Sequence, residues 1–315
     1  MDSAENFQVI EMHMLKKYMF FPLAGLGTFT VNTILYPISL IRTRLVMQHG
    51  NNLYTGMIHC ARTILIKEGW KGLYNGFFVK SIQLFSGMAY VGTYETIRFK
   101  LADFDFNPHT RSFIAGGFAS AVGQTLVVPV DVVSQHMMII NNKDTSVGSL
   151  SSIKLTNSEL KTPLSRFIGV CSHIRHEYGI RGFYKGYAIS MITFIPNSAL
   201  WWGFYNLYCD KLSNSLSFLE IPRLLIQVVS APLAGSSAAL IMNPIDCIRM
   251  RIQVKNCKFL KTVSVLWRED RWFMFHKGLS ARLTQSITYS FWIILFYEPI
   301  KYFCLKEDFK KTIKI

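Results

Sequence analysis

Residues 244–251 read Pro244-Ile245-Asp246-Cys247-Ile248-Arg249-Met250-Arg251, a proline followed by an acid and two bases at the end of a long uncharged run. Inside a helix the proline removes a hydrogen bond and bends the axis. Asp246 and Arg249, three residues apart, share one helical face. At the end of a membrane span such a pair is either a solvated boundary or part of a charge network. Two sister stretches favour a network: Pro37-Ile38-Ser39-Leu40-Ile41-Arg42-Thr43-Arg44 and Pro129-Val130-Asp131-Val132-Val133-Ser134-Gln135-His136. One copy could be chance; three in successive thirds are an architecture, with helix kinks expected at Pro37, Pro129 and Pro244.

Half of the 315 residues are hydrophobic and only 17% are charged, against about 25% in a soluble protein. A membrane protein fits better than a very apolar soluble enzyme. Uncharged runs fall at 18–41, 81–94, 112–130, 186–209, 224–245 and 283–297. Four reach the ~17–25 residues of a helical span. The runs 81–94 and 283–297 do so only by admitting Lys80, Glu95, Arg98, Arg282 and Glu298, charges that can snorkel or face a watery interior. Six spans are expected. Segments 42–80, 131–185 and 246–282 hold 6, 7 and 9 Lys/Arg, which places these loops on one side and both termini on the other. The net charge of +15 suits anionic lipid, and no segment carries a nucleic-acid module. Six scattered cysteines without CxxC spacing imply neither a metal site nor a disulfide framework. Lys16-Lys17 ahead of 18–41 imitates a signal peptide but lacks a cleavage site, so import information is expected inside the chain.

Internal repetition organises the rest. Repeats are expected at 18–104, 105–215 and 216–304, between tails 1–17 and 305–315. Each reads as a long apolar helix ending in the proline stretch, a basic loop with an amphipathic segment (55–68, 163–177, 258–270), a glycine–aromatic signature and a second helix. The signatures are Glu68-Gly69-Trp70-Lys71-Gly72-Leu73-Tyr74-Asn75-Gly76, Tyr178-Gly179-Ile180-Arg181-Gly182-Phe183-Tyr184-Lys185-Gly186, and a worn Asp270-Arg271-Trp272-Phe273-Met274-Phe275-His276-Lys277-Gly278. The middle repeat carries about twenty extra residues, placed at Lys143–Lys161, whose Ser/Thr/Asn/Lys content reads as an exposed flexible loop. Small-residue clusters at Ala24–Gly27, Ala115–Gly117 and Ala234–Ala238 suit close helix packing.

Over residues 18–304 the chain resembles the mitochondrial carrier family (solute carrier family 25), whose pattern is Pro-x-acid-x-x-base-x-base followed by the glycine–aromatic signature, three times over. The resemblance implies an all-α membrane protein: six transmembrane helices in a threefold pseudo-symmetric barrel of the mitochondrial inner membrane, with three short matrix-side amphipathic helices. Both termini would face the intermembrane space. The family's acid-to-base ring, carried over, pairs Asp131 with Arg249 and Asp246 with Arg42 in a matrix gate. Exchanging Asp246 and Arg42 is then expected to rescue activity better than either single reversal. The third link would join Ser39 to Ser134, both uncharged, so no ion is stranded. On the opposite side Tyr94-Glu95-Thr96-Ile97-Arg98 and Tyr297-Glu298-Pro299-Ile300-Lys301 match the family's second network, and Tyr205-Asn206-Leu207-Tyr208-Cys209 has lost both charges. Glu298 with Arg98, Asn206 with Lys301, and Glu95 facing Cys209 would make the weaker gate. The loop glycines Gly56, Gly76, Gly169, Gly186 and Gly278 resemble the family's cardiolipin sites, where helix starts present amides to phosphate; tight turns explain them equally. No other cofactor is implied.

The family's substrate positions fall on Ile82, Thr193, Phe194 and Ser286, none charged, with Gln83, Gln124, Asn197 and Gln285 nearby. An apolar, amide-lined cavity argues against a polyanion, which would need a paired cation. It suits a small neutral or zwitterionic solute. Around Pro37 and Pro129, at Lys277–Arg282 and at Trp201-Trp202 the wording is similar to the family's branched-chain amino-acid carrier branch, which implies transport of leucine, isoleucine and valine by alternating access, as a monomer. Another neutral amino acid or a keto acid is the alternative, and a non-transporting, carrier-derived interaction protein a second. No Ser/His/Asp set, phosphate loop or metal spacing suggests an enzyme.

Overall fold

A computed structural model describes residues 16–48, 53–101, 108–140, 153, 155–156, 160, 162–215, 223–255 and 257–305, with the backbone alone at 17, 91, 95, 98, 108–113, 223–224, 293–294, 297–298 and 301–302. The three proline stretches lie in long helices, α1 (Lys17–Met47), α5 (Pro108–Ile139) and α8 (Arg223–Lys255), which continue through Pro37, Pro129 and Pro244. Over Tyr18–Met47, Ile114–Ile139 and Leu225–Lys255 these three are long and apolar enough to cross a membrane. Their partners α4 (Leu84–Lys100), α7 (Tyr187–Ser215) and α10 (Leu279–Phe303) do not reach that measure among the described residues. α4 has only 17 residues; α7 and α10 are long enough but diluted by Ser, Thr, Asn, Gln, Trp and Tyr. The six-span expectation is thus met by hydropathy at three helices. A short helix α3 (Phe77–Ser81) precedes α4, parted from it by tighter turns in which Ile82 N bonds Val79 O and Phe85 N bonds Ile82 O.

The amphipathic segments form α2 (Met57–Lys67), α6 (Pro163–Tyr178) and α9 (Phe259–Asp270), each followed by a 3₁₀ turn at Trp70–Tyr74, Ile180–Tyr184 or Arg271–Phe275. In α2, Cys60 and Ile64 turn inward while Ile58 and Ile66 stay exposed. Burial pushes the Cys60 thiol up to about 12. α6 starts on Thr162, whose hydroxyl accepts from Ser165 N, with Pro163 in the first turn, the favoured chemistry of a helix start.

α1 packs along α10, α10 along α8, α8 along α7, and α4 along α5, while lighter contacts join α7 to α5 and α4 to α1. Each of α1, α5 and α8 also touches the other two. Lys16 N donates to Cys304 O at 2.8 Å, and Phe20 shares a small core with Cys304 and Leu305. The start of α1 and the end of α10 therefore meet, about 38 Å of helix away from Arg42. At the Arg42 end lies the largest core, where Leu40, Val46 and Met47 of α1 meet Met138 and Ile139 of α5, Cys247 and Met250 of α8, and Ile64 of α2.

Two packing expectations need correction. Ile153, inside the stretch expected to be an exposed loop, is buried beside Val133, Val170 and Ile174, with Leu155 and Leu160 against it. Three apolar side chains in a polar stretch are enough to hold those positions on the core, while Thr156 is exposed; the rest of 143–161 lies outside the described residues. Among the small-residue clusters, Gly27 faces Ile300 and Gly235 faces Ser286, but Gly25, Gly116 and Gly117 have open space where a Cβ would stand. Composition alone does not say which face of a helix its glycines occupy.

Gly76, Gly186 and Gly278, which close the three signatures, adopt φ of 84°, 74° and 65°, a region costly for other residues. A Cβ at Gly278 would also fall 2.9 Å from Val46 Cγ2. Gly278→Ala is expected to destabilise the protein by roughly 1–3 kcal/mol, read as a lowered Tm in detergent. Gly25→Ala, helical and in open space, should leave Tm unchanged or slightly raised.

Candidate functional site

Helical spacing carries the inward faces of α1, α5 and α8 to one point at the end of the bundle. There Asp246 Oδ2 accepts from Arg42 Nη2 at 3.2 Å and pairs with Arg282 Nη2 of α10 at 2.7 Å. Its Oδ1 lies 3.4 Å from Arg249 Nε. Asp131 Oδ2 lies 3.5 Å from Arg249 Nη1, and its Oδ1 accepts from Lys80 of α3 and from Gln83 at 2.7 Å. Both carboxylates are buried, 7% and 10% exposed. The structure thus brings together Asp246 with Arg42 and Asp131 with Arg249, and adds two cations to them. Lys80 and Arg282 each sit four residues after a signature glycine, Gly76 and Gly278; Ser190 holds the same place after Gly186.

That sharing argues against the exchange of Asp246 and Arg42 as a rescue, because an arginine at 246 would face Arg249 and Arg282. The third link also differs from expectation. Ser134 is buried with the Tyr36 hydroxyl beside it, and Ser39 lines a cavity instead. α1 and α5 are held by other groups: Thr43 Oγ1 donates to Met138 Sδ at 3.3 Å, and Arg44 Nε to Met138 O at 3.0 Å. Near α7, Gln135 donates to Gln253 at 2.8 Å and Gln253 to Ser190 Oγ at 3.2 Å.

A second tier lies below. Arg44 binds both oxygens of Glu68. Arg251 donates to Val46 O (3.2 Å), Gln48 O (2.9 Å) and Glu269 (2.6 Å). Lys277 donates to Asp270 at 2.7 Å and to Gln48 O at 2.7 Å. The last carbonyls of a helix have no partner within it, so Arg44 and Arg251 cap α5 and α1 from the neighbouring repeat while holding the loop acids. Burial keeps the Lys277 ammonium below the usual lysine range, with Asp270 pulling the other way. These ties were absent from the sequence expectations, although the second base and the signature acid were both visible in the motif.

Above the charged floor is a cavity of about 950 Å³ between α1 and α3–α4, walled by Phe29, Tyr36, Phe77, Phe85 and Met88, with Val127 of α5 and Gln285 of α10. Of the expected substrate positions, Gln83 and Gln285 line it. Ile82 and Phe194 are exposed and are not among its walls. Thr193 donates to Ile189 O within its own helix, Ser286 packs over Gly235, and Asn197 accepts from Arg282 at 3.4 Å. Gln124 is half-buried on α5, two turns before Asp131. Asn206 is exposed; the side chains of Glu95, Arg98, Glu298 and Lys301 lie outside the described residues, so that second network has no geometry here. Gly76, Gly186 and Gly278 directly precede α3, α7 and α10, and Gly56 precedes α2 with extended backbone. Gly169 does not head a helix. It is buried midway along α6, because Thr162 takes the cap.

The sequence matches the family described as "Mitochondrial carrier protein" at residues 18–104, 106–216 and 222–308. The chain belongs to the mitochondrial carrier family. This carrier is 38% identical over 310 residues to "Solute carrier family 25 member 44" of Homo sapiens, covering 98% of each chain. Its identity to the Mus musculus protein of the same name is 37% over 309 residues, again 98% of each. "Mitochondrial substrate carrier family protein J" of Dictyostelium discoideum is 27% identical over 335 residues, 92% of each. Mitochondrial carriers are transporters of the inner mitochondrial membrane and not enzymes.

Proposed function

We propose that this carrier moves a small neutral or zwitterionic solute by alternating access, and that leucine, isoleucine and valine are its substrates. The observation that carries the solute class is the cavity wall: among the described residues it holds aromatic and aliphatic side chains with Asn32, Gln83 and Gln285, and one charged residue, Lys80. A polyanion would need several cations there. The choice of branched-chain amino acids rests on the local resemblance around Pro37, Pro129, Trp201-Trp202 and Gly278. Six spans form the barrel, the charged floor is the matrix gate, and both termini face the intermembrane space; the meeting of Lys16 with Cys304 at the far end supports that orientation. Cardiolipin bound at the helix starts after Gly56, Gly76, Gly186 and Gly278 would complement their exposed amides, and the carrier acts as a monomer. Purified protein in liposomes should accumulate labelled leucine, with valine and isoleucine competing. Uptake absent across a panel of neutral amino acids and keto acids would remove the substrate assignment.

A further inference from the structure

Six charged groups meet at the cavity floor, Asp131 and Asp246 against Arg42, Lys80, Arg249 and Arg282, leaving a net excess of two positive charges. The excess is matched by idle donors: Arg42 Nε and Arg282 Nη1 are buried without a hydrogen-bond partner. Buried cations in surplus are costly unless an anion joins them. The members differ in access. Lys80 is 32% exposed at its side chain, Arg249 21%, Arg42 14% and Arg282 9%, and among the described residues Lys80 is the charged one on the cavity wall. Its ammonium has three donors, of which Asp131 takes one. Gln83, one turn further, also faces both the cavity and Asp131.

We propose that Lys80 anchors the carboxylate of the transported solute, and that this contact draws Lys80 away from Asp131 and so loosens the floor. The inference rests on the transport function proposed above and adds the group that the site recognises. An anion arriving through the cavity meets Lys80 before any other cation of the floor. Its apolar part then lies against Phe29, Phe77 and Phe85, which suits one carboxylate on an apolar tail. Asp131 is the acid such a contact can release. It keeps only Gln83 and the more distant Arg249, whereas Asp246 keeps three arginines. Unlocking therefore starts at Asp131.

The test compares leucine, 4-methyl-2-oxopentanoate, leucinamide and 3-methylbutylamine, which share a branched tail and differ in the carboxylate. Each is used as a competitor of labelled-leucine uptake in liposomes and as a stabiliser of the purified full chain in a thermal-shift assay. The two carboxylates are expected to compete and stabilise, and the two compounds without one to be weaker by about ten- to a hundredfold. Lys80→Gln should erase that ratio and Lys80→Arg should keep most of it. A merely structural lysine would lower every compound's effect alike and leave the ratio intact. Uptake with equal competition by all four compounds, or an unchanged ratio in Lys80→Gln, overturns the anchor and leaves the transport reading standing. Carboxylate stabilisation that depends on Lys80, without leucine uptake, sinks the substrate assignment and keeps the anchor. No stabilisation by either carboxylate overturns the anchor. Should Lys80→Gln fail to fold, equal wild-type response to leucine and leucinamide overturns it alone.

Discussion

Asp246→Ala is expected to abolish uptake and to cost about 3–5 kcal/mol of stability, the penalty for stranding buried charge. Three arginines, Arg42, Arg249 and Arg282, lie within 3.4 Å of this carboxylate, and without it they repel one another at a site only a tenth exposed. Asp246→Asn keeps the shape and some hydrogen bonding, so it should lose uptake as fully but less stability. Asp131→Ala should cost less, because Lys80 is 32% exposed and can turn toward cavity water. Double reversal of Arg42 and Asp246 should not rescue, since arginine at 246 still faces Arg249 and Arg282. Removing charge on both sides, Asp246→Asn with Arg282→Gln, should recover part of the stability. The readouts are Tm in detergent and leucine uptake. Stability within about 1 kcal/mol of wild type for Asp246→Ala would show that the arginines find other partners.

Much of this arrangement was legible in Pro244–Arg251 and its sisters, because helical period and motif order fix which residues share a face and which helix end they occupy. Asp246 with Arg42 and Asp131 with Arg249 came from that logic. Lys80 and Arg282 did not, since they lie on the second helix of a repeat and read there as charges tolerated at a span end. Their common offset of four residues from Gly76 and Gly278 was the available signal. Ser39 and Ser134 matched as a pair on paper but are not joined, because two short hydroxyls cannot reach as far as an arginine and an aspartate. The substrate positions were the least legible. Ser286 and Thr193 fall on the right helices, yet a rotation of one residue, about 100°, separates a cavity wall from a helix–helix seam. Gly169 shows the same limit for caps: a glycine in a loop segment marks a helix start only where no Thr or Ser precedes it at a better place.

Arg251→Met is expected to destabilise the carrier by about 3–5 kcal/mol, as much as any change in the upper ring, although Arg251 is far from the cavity. Its side chain is 1% exposed and serves four acceptors, Val46 O and Gln48 O at the end of α1 and Glu269 and Asp270 of α9. Methionine fills the volume and satisfies none of them. Lys277 continues to hold Asp270 and Gln48 O, but Val46 O and Glu269 each lose the guanidinium. Arg251→Lys restores the charge without the planar fork, and a single ammonium cannot reach backbone carbonyls and carboxylates on opposite sides at once; about half the loss should remain. Arg44→Met, which frees Glu68 and Met138 O, should resemble Arg251→Met, because both arginines tie a loop helix and a neighbouring repeat together. Exposed Arg62→Met on α2 should change Tm little. Tm in detergent ranks the variants, and limited proteolysis of the loop around α9 separates local from global loss. If Arg251→Met opens that loop to protease while Tm holds, Arg251 fastens the loop helix only. If both fall together, closure of the repeats around the floor depends on the lower tier as much as on Asp246.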